Sequence, residues 1–498
     1  MYFDALEERL SSYGSGGYYF LEAFILKLLE LEGEPLGQKI VQHGGGAAPF
    51  DATAPDGIGE IREPLAIEIT FTISGKKLQA IIANYSRRAS PGYRLLVIAP
   101  KVKEDQLPLI FGAMGGASQF PLFFWGKEKI NELILKHADA AGVLAENMFS
   151  VRLKMAAARP TNAWQEEREQ IIKEISEQYR AGSFSLALGA GVSSSAGLPD
   201  WNTLLNSLFV SMLSEENIGE GESNNSQVAQ IVSRLMEVDG PSALMLARYI
   251  RKGLAAGSPT EQQVFIEAIT KQLYELRNTD YPIESMLITA IATLCTPTRT
   301  GAKIKSILTY NFDDFIERAL KAKSLVHKSV FEEFETASAE ELPIYHVHGF
   351  LPQDRSGYPN LDRCTLVFSE EGYHQIYRDA YHWSNLAQLN IFKETSCLMI
   401  GLSLTDPNLR RLLEIASKSL EKPKHFAFMR RLNPVKFKRG EGGAPLKIPN
   451  AVIERFLDRH HSTNEELMRE LGVTIIWYED YNDIPVILDR VRVGQRSG

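Results

Sequence analysis

Cysteine is nearly missing from this chain. Three residues in 498, Cys295, Cys364 and Cys397, stand far apart, and no CxxC pair occurs. A disulfide framework and a cysteine-built zinc site are both unsupported, so the thiols read as reduced and partly buried, as in a reducing cytoplasm. Long apolar runs are missing too: none approaches the roughly 18 residues that a bilayer span requires. The opening stretch MYFDALEERL is acidic where a secretory leader would be basic and then apolar. The expected setting is therefore the cytoplasm, without membrane contact. Nor is positive charge in excess. A net charge of −8 excludes a general nucleic-acid glue, and the basic segment KHFAFMRRLNPVKFKRG (424–440), past its strand-like KHFAFM, reads as a basic solvated loop, with phosphate contact as the alternative. No internal repeat or low-complexity tract stands out.

What is present is alternation. At this length two to four domains are expected. Residues 1–155 read as a smaller α/β domain. A helical segment, Tyr18 to Glu32, carries Phe20, Phe24, Ile25, Leu28 and Leu29 at helical spacing. The strand-like runs PLAIEITFTI and YRLLVIAP follow, divided by GKKLQAIIANYSRR. AAARPTN (156–162) reads as a linker. Residues 163–490 begin with an amphipathic helix, Trp164 to Tyr179, and continue with short apolar strands: FSLALG, IKSILTYN, LPIYHVHG, SCLMIGLS, KHFAFM and VTIIWY. Helical segments separate most of them, which predicts a Rossmann-like parallel sheet covered on both faces. The interval of about 203–300 has helical patterning and almost no strand signal, so it reads as a helical insertion. Within it SEENIGEGESNNSQ is expected to be an exposed loop.

Four stretches carry chemistry. LALGAGVSSSAGLPDW (186–201) sends a strand through Gly189, Ala190 and Gly191 into a helix start, where backbone N–H groups and the hydroxyl of Ser193 suit an anion. Alone this is weak, because the dinucleotide fingerprint wants a third glycine where Ser194 stands. LTYNFDDFIERAL (308–320) ends a strand at Asn311, with Asp313 placed to cap the next helix. YHVHGF (345–350) ends another at His348, and MIGLSLTDPNLRRLL (399–413) ends a third at Gly401. There Asp406 and Pro407 fit an N-cap and first turn. In an open α/β sheet the carboxyl ends of the strands form the ligand crevice. Four polar loops are therefore expected at one edge.

As an ordered set these stretches resemble the sirtuin family. GAGVSSSAGLPDW is similar to GAGxSxxAGIPDF, TYNFDDF to TxNxDxL, VHGF to the HG that carries the sirtuin histidine, and GLSL to the later GxS motif. The resemblance covers about residues 165–490. It implies an NAD-binding domain that breaks the bond between nicotinamide and ribose. On that basis His348 is the general base and Asn311 orients ribose and water. Asp313 either contacts the carboxamide region or only caps its helix. Gly189, Ala190, Gly191 and Ser193 hold the diphosphate; Pro199, Asp200 and Trp201 border nicotinamide; Gly401 and Ser403 bind adenosine-side oxygens. His346, two residues from His348, competes for the assignment, and Asp406 reads first as a cap. The departures matter as well. Sirtuin deacylases carry two CxxC pairs between the HG and GxS motifs, and here that interval has only Cys364 and Cys397. Zinc-less chains with a helical insertion resemble the sirtuin-like NAD hydrolases of bacterial anti-phage systems. The implied reaction is hydrolysis of NAD, as substrate, to nicotinamide and ADP-ribose, with no zinc or other metal in the site. A homo-oligomer or a partner protein of the same system is implied as the control. The alternatives are a deacylase or ADP-ribosyltransferase, and a sensor that binds NAD or ADP-ribose uncleaved.

The N-terminal region offers a second motif. An acid in a loop, Asp51 or Asp56, precedes a strand with Glu68, and this resembles the PD-(D/E)xK restriction-endonuclease core. Paired carboxylates of that kind hold Mg²⁺, and a degenerate version could contact nucleic acid through 1–155. The family's lysine belongs two residues after Glu68, where Thr70 stands, leaving Lys76 or Lys77 as substitutes.

Overall fold

The computed structural model describes residues 3–11, 16–43, 50–71, 73–112, 121–158, 164–216, 230, 234, 243–254, 261–418, 422–439 and 445–494. Most of the expected linker 156–162 and of the expected loop 214–227 lies outside them. Two compact units result: residues 1–171 with 413–424 and 431–477, and residues 172–412 with 425–430 and 478–498. No described helix is long and apolar enough to cross a membrane.

The first unit is built on a five-stranded sheet in the order β1 (Val41–Gln42), β2 (Ala52–Ala54), β3 (Leu65–Ile69), β4 (Arg94–Ile98), β5 (Leu122–Trp125). Pairs β1–β2 and β2–β3 are antiparallel; β3–β4 and β4–β5 are parallel. Strand side chains alternate between faces. On β4, Leu96 and Ile98 join Phe24, Leu28 and Ile130 in the larger core, while Leu95 and Val97 meet Leu78 and Ile81 of the helix Gly75–Arg88. That helix covers the stretch read from sequence as the divider between two strands.

The second sheet has seven strands in the order β12-β11-β10-β6-β7-β9-β8. Their ranges are β6 Phe184–Leu188, β7 Ile304–Thr309, β8 His327–Val330, β9 Leu342–His346, β10 Ser396–Ile400, β11 His425–Arg430 and β12 Val473–Tyr478. Every pair from β11 to β8 is parallel. The central strands β6 and β10 are buried along their whole length, as expected where helices cover both faces. Between β6 and β7 the described structure is helical, with helices at Trp201–Glu216, Ala243–Leu254, Glu261–Glu275 and Met286–Leu294. β8, HKSV, escaped sequence reading because it is a short, half-polar edge strand.

The register explains why the loops meet. Ile400 pairs with Leu188, Leu188 with Thr309, and Thr309 with His346. The ends of β10, β6, β7 and β9 thus form one row. The chain passes from β6 to β7 on one side and later returns to β10 on the other, so the β6/β10 boundary is the topological switch point where a crevice opens.

Candidate functional site

Two glycine turns interlock at that boundary. Gly189 N–H donates to Ile400 O at 2.9 Å, and Gly191 N–H donates to Gly401 O at 3.0 Å. A Cβ on Gly191 would lie 2.8 Å from Gly401 Cα, and one on Gly401 would lie 2.6 Å from Val192 N. Gly401 also sits at φ +70, a left-handed conformation that glycine adopts without a Cβ penalty. These glycines thus let two backbones touch. The Gly189 and Gly191 amides are occupied within the turns, and Ala190 and Ser193 line the crevice.

Cross-ties then fix the other loops. Asn311 Nδ2 donates to Gly189 O at 3.0 Å. Ser193 Oγ donates to Asp313 Oδ2 at 2.5 Å, while Asp313 Oδ1 accepts the Phe315 amide at 3.1 Å. Asp313 therefore caps its turn and faces the crevice at once. Burial pushes its carboxyl up to about 6, although the Ser193 hydroxyl and the Phe315 amide favour the anion. The cavity there is about 400 Å³ and is lined by Ala190, Ser193, Pro199, Trp201, Asn311, Asp313, His348 and Ser403, among others. Its walls are mostly apolar with a few convergent polar groups, the usual make-up of a small-molecule site.

Residues 305–441 match the family model of the SIR2-like domain. The fold is SIR2-like. The matched segment holds three of the four loops, those that follow β7, β9 and β10. NAD(+) hydrolase ThsA of Enterococcus faecium is 21% identical over 347 residues, covering 66% of this chain and 58% of that protein. The chain thus spans less than two thirds of that relative's length.

Within the SIR2-like fold the two strand-end histidines separate cleanly. His346 is buried, its Nε2 2.7 Å from Glu317 Oε1, and its ring lies tilted against Phe350 with centroids 4.0 Å apart. Burial would raise the Glu317 carboxyl, but the charge and hydrogen bond of His346, together with a backbone amide and the Ser329 hydroxyl, hold the group below the usual value. His348 instead lines the cavity. Burial lowers its imidazole below the ordinary value, with Asp406 pulling the other way. Asp200 lies off the cavity lining: its Oδ1 accepts the Thr203 amide at 2.8 Å and caps the helix Trp201–Glu216. Trp201 both lines the cavity and packs on Phe368 at 4.5 Å. Sequence reading missed Tyr310, Tyr373 and Thr405, which also line it. Tyr373 stands on the amphipathic helix Glu370–Arg378, where nothing local distinguishes it from a packing residue.

The first unit gathers a different cluster. Lys422 Nζ lies 2.6 Å from Glu68 Oε1 and 3.1 Å from Asp51 Oδ1, and Asp51 Oδ2 accepts the Ile69 amide at 2.6 Å. The ammonium group on these carboxylates comes from far along the chain, whereas Lys76 and Lys77 belong to the helix Gly75–Arg88. Burial, then Asp51, pushes the Glu68 carboxyl up to about 7, with Lys422 opposing. Asp56 is apart from this contact; its backbone carbonyl accepts from Gln38 Nε2. Among the described residues, no group of three or more His, Cys, Asp or Glu side chains could hold a metal ion.

Proposed function

We propose that the chain is an NAD glycohydrolase, releasing nicotinamide and leaving ADP-ribose. The observation that carries this reading is the single cavity shared by His348, Asn311, Asp313 and Ser193 at the switch point of the sheet. The SIR2-like match and the NAD(+) hydrolase relative support it. NAD is substrate here. Pro199 and Trp201 border its nicotinamide, Ala190 and Ser193 face the diphosphate, and Ser403 faces the adenosine side. The C1′–N bond breaks with its electron pair passing to the pyridinium ring, which departs as neutral nicotinamide. The ribose becomes oxocarbenium-like, a charge favoured by Asp313, which with a carboxyl value of about 6 is mostly anionic at neutral pH. Water oriented by Asn311 adds to C1′ and gives one proton to His348, a transfer that contributes about 10²–10⁴ in rate when the base is positioned.

In this reading residues 163–490 are the catalytic domain and 1–155 accompany it. The setting is anti-phage defence by NAD depletion in the cytoplasm, controlled by self-assembly or by a partner protein of the same system. The test incubates the full chain with NAD, alone and with neighbouring gene products, and follows nicotinamide by chromatography. Nicotinamide and ADP-ribose should appear in equal amounts, and His348→Ala and Asn311→Ala should abolish turnover without changing the circular dichroism spectrum. Consumption that requires an acyl-lysine or acceptor protein would point to a deacylase or transferase instead. NAD bound tightly and recovered whole would point to a sensor.

One observation in the first unit favours an additional role. Asp51, Glu68 and Lys422 bring together two carboxylates and an ammonium group, which supports a nuclease-like unit in contact with nucleic acid. Mg²⁺-dependent plasmid nicking lost in Glu68→Ala would carry that role, and plasmid left intact by the native chain would set it aside.

A further inference from the structure

His348 has company that a lone base does not need. Its Nε2 is buried and has no hydrogen-bond partner among the described residues, and 3.9 Å away lies Asp406 Oδ2. Two rings hold the imidazole edge-on: Tyr310 at 4.9 Å and Tyr373 at 5.8 Å, with interplanar angles of 87° and 76°. The Tyr310 hydroxyl is engaged elsewhere, donating to Gln388 Oε1 at 2.6 Å. Tyr373 donates its hydroxyl to Asp406 Oδ2, the oxygen nearest His348. The other carboxylate oxygen, Oδ1, accepts the Leu409 amide at 2.7 Å and caps the helix Pro407–Ser417. Asp406 is thus held by both oxygens, facing an unsatisfied ring nitrogen. The loop that delivers it also bears strain. Leu404 sits at φ +56, which is costly for a side chain branched beyond Cβ, and Arg410 Nη1 donates to its carbonyl at 3.2 Å.

We propose that Asp406, anchored by Tyr373, is the positioning residue for His348: its carboxylate closes on Nε2–H and fixes the tautomer that leaves Nδ1 as the basic nitrogen. A separation of 3.9 Å suits such a role, since catalytic hydrogen bonds often tighten only in the substrate complex. A carboxylate behind an imidazole selects its tautomer and favours the imidazolium formed once the ring takes a proton. The other titratable group on the cavity wall is Asp313, tied to Ser193 across the crevice; Tyr377, on the same helix as Tyr373, packs against Tyr373 at 6.1 Å. The activity arm of this inference rests on the glycohydrolase reading; the spectroscopic arm does not.

Asp406→Asn keeps a side-chain oxygen for the helix cap, so the fold is preserved and circular dichroism checks it. In the full chain labelled with ¹⁵N-histidine, the His348 signals are assigned by their loss in His348→Gln. Asp406→Asn should shift them from the Nε2–H tautomer toward a mixture and move the His348 titration to lower pH. Tyr373→Phe should do the same to a smaller degree. In turnover, Asp406→Asn should lower kcat about 100-fold with KM changed less than about threefold, and the acid limb of kcat/KM should move to lower pH. His348 signals and titration unchanged in Asp406→Asn would overturn the inference. A native chain that releases no nicotinamide overturns the glycohydrolase reading alone, and the histidine spectra still decide this one.

Discussion

Gly401→Ala puts the interlocked turns under direct strain. The φ of +70 costs an alanine about 1–2 kcal/mol. The new Cβ would stand 2.6 Å from Val192 N, and backbone cannot rotate aside as a flexible side chain can. The turns must part, which weakens the Gly191 N–H to Gly401 O bond. That bond is worth about 1 kcal/mol net, and more when a buried amide is left unpaired. A total loss of about 3 kcal/mol follows from these two principles. Gly301→Ala isolates the backbone share, because Gly301 has φ +92 and no described residue lies within 4 Å of the Cβ it would gain. Urea unfolding followed by circular dichroism should show the Gly401 variant losing about twice as much as the Gly301 variant. Both positions lie in the second unit, so the same transition is compared. Nicotinamide release should fall in the first variant and persist in the second. Equal losses would refute the interlock.

Three further outcomes are expected. Glu317 has a folded carboxyl value below the usual 4.5, so its contribution is present above about pH 4.5 and lost as pH falls through the lower folded value; Glu317→Gln should flatten that acid limb of stability. Glu22 and Glu68 have the opposite sign, each pushed up to about 7, chiefly by burial. Unfolding is favoured as pH rises from about 4.5 through 7, and Lys422→Met should cost about 1 kcal/mol at pH 8 and low salt but less at pH 5, where Glu68 is already neutral. Burial pushes the thiols of Cys295 and Cys364 up to about 12 and raises Cys397 as well. A thiol reagent such as DTNB at pH 8 should therefore label them only after denaturation; prompt labelling of the native chain would contradict their burial.

Much of the second sheet could be read along the chain because parallel strands covered on both faces are near-continuous apolar runs, as in FSLAL and SCLMI. The polar residues where those runs stop marked the crevice. Strands of two to four residues, such as Val41–Gln42 and His327–Val330, carry too little pattern for the same reasoning. The choice between His346 and His348 also depended on distant partners, Glu317 for one and Asp406 for the other.

The lysine beside Glu68 makes the same point from the first unit. A motif read by spacing looks two residues on and finds Thr70, whereas the fold brings Lys422 from more than three hundred positions away. Local chain stiffness and hydrophobic period act over a few residues, so the longer strands, the caps and the glycine turns were settled by neighbouring amino acids. Charge pairing and the walls of the cavity act through space. Asp406, Tyr373 and Lys422 therefore acquired their partners only when the sheets and helices packed.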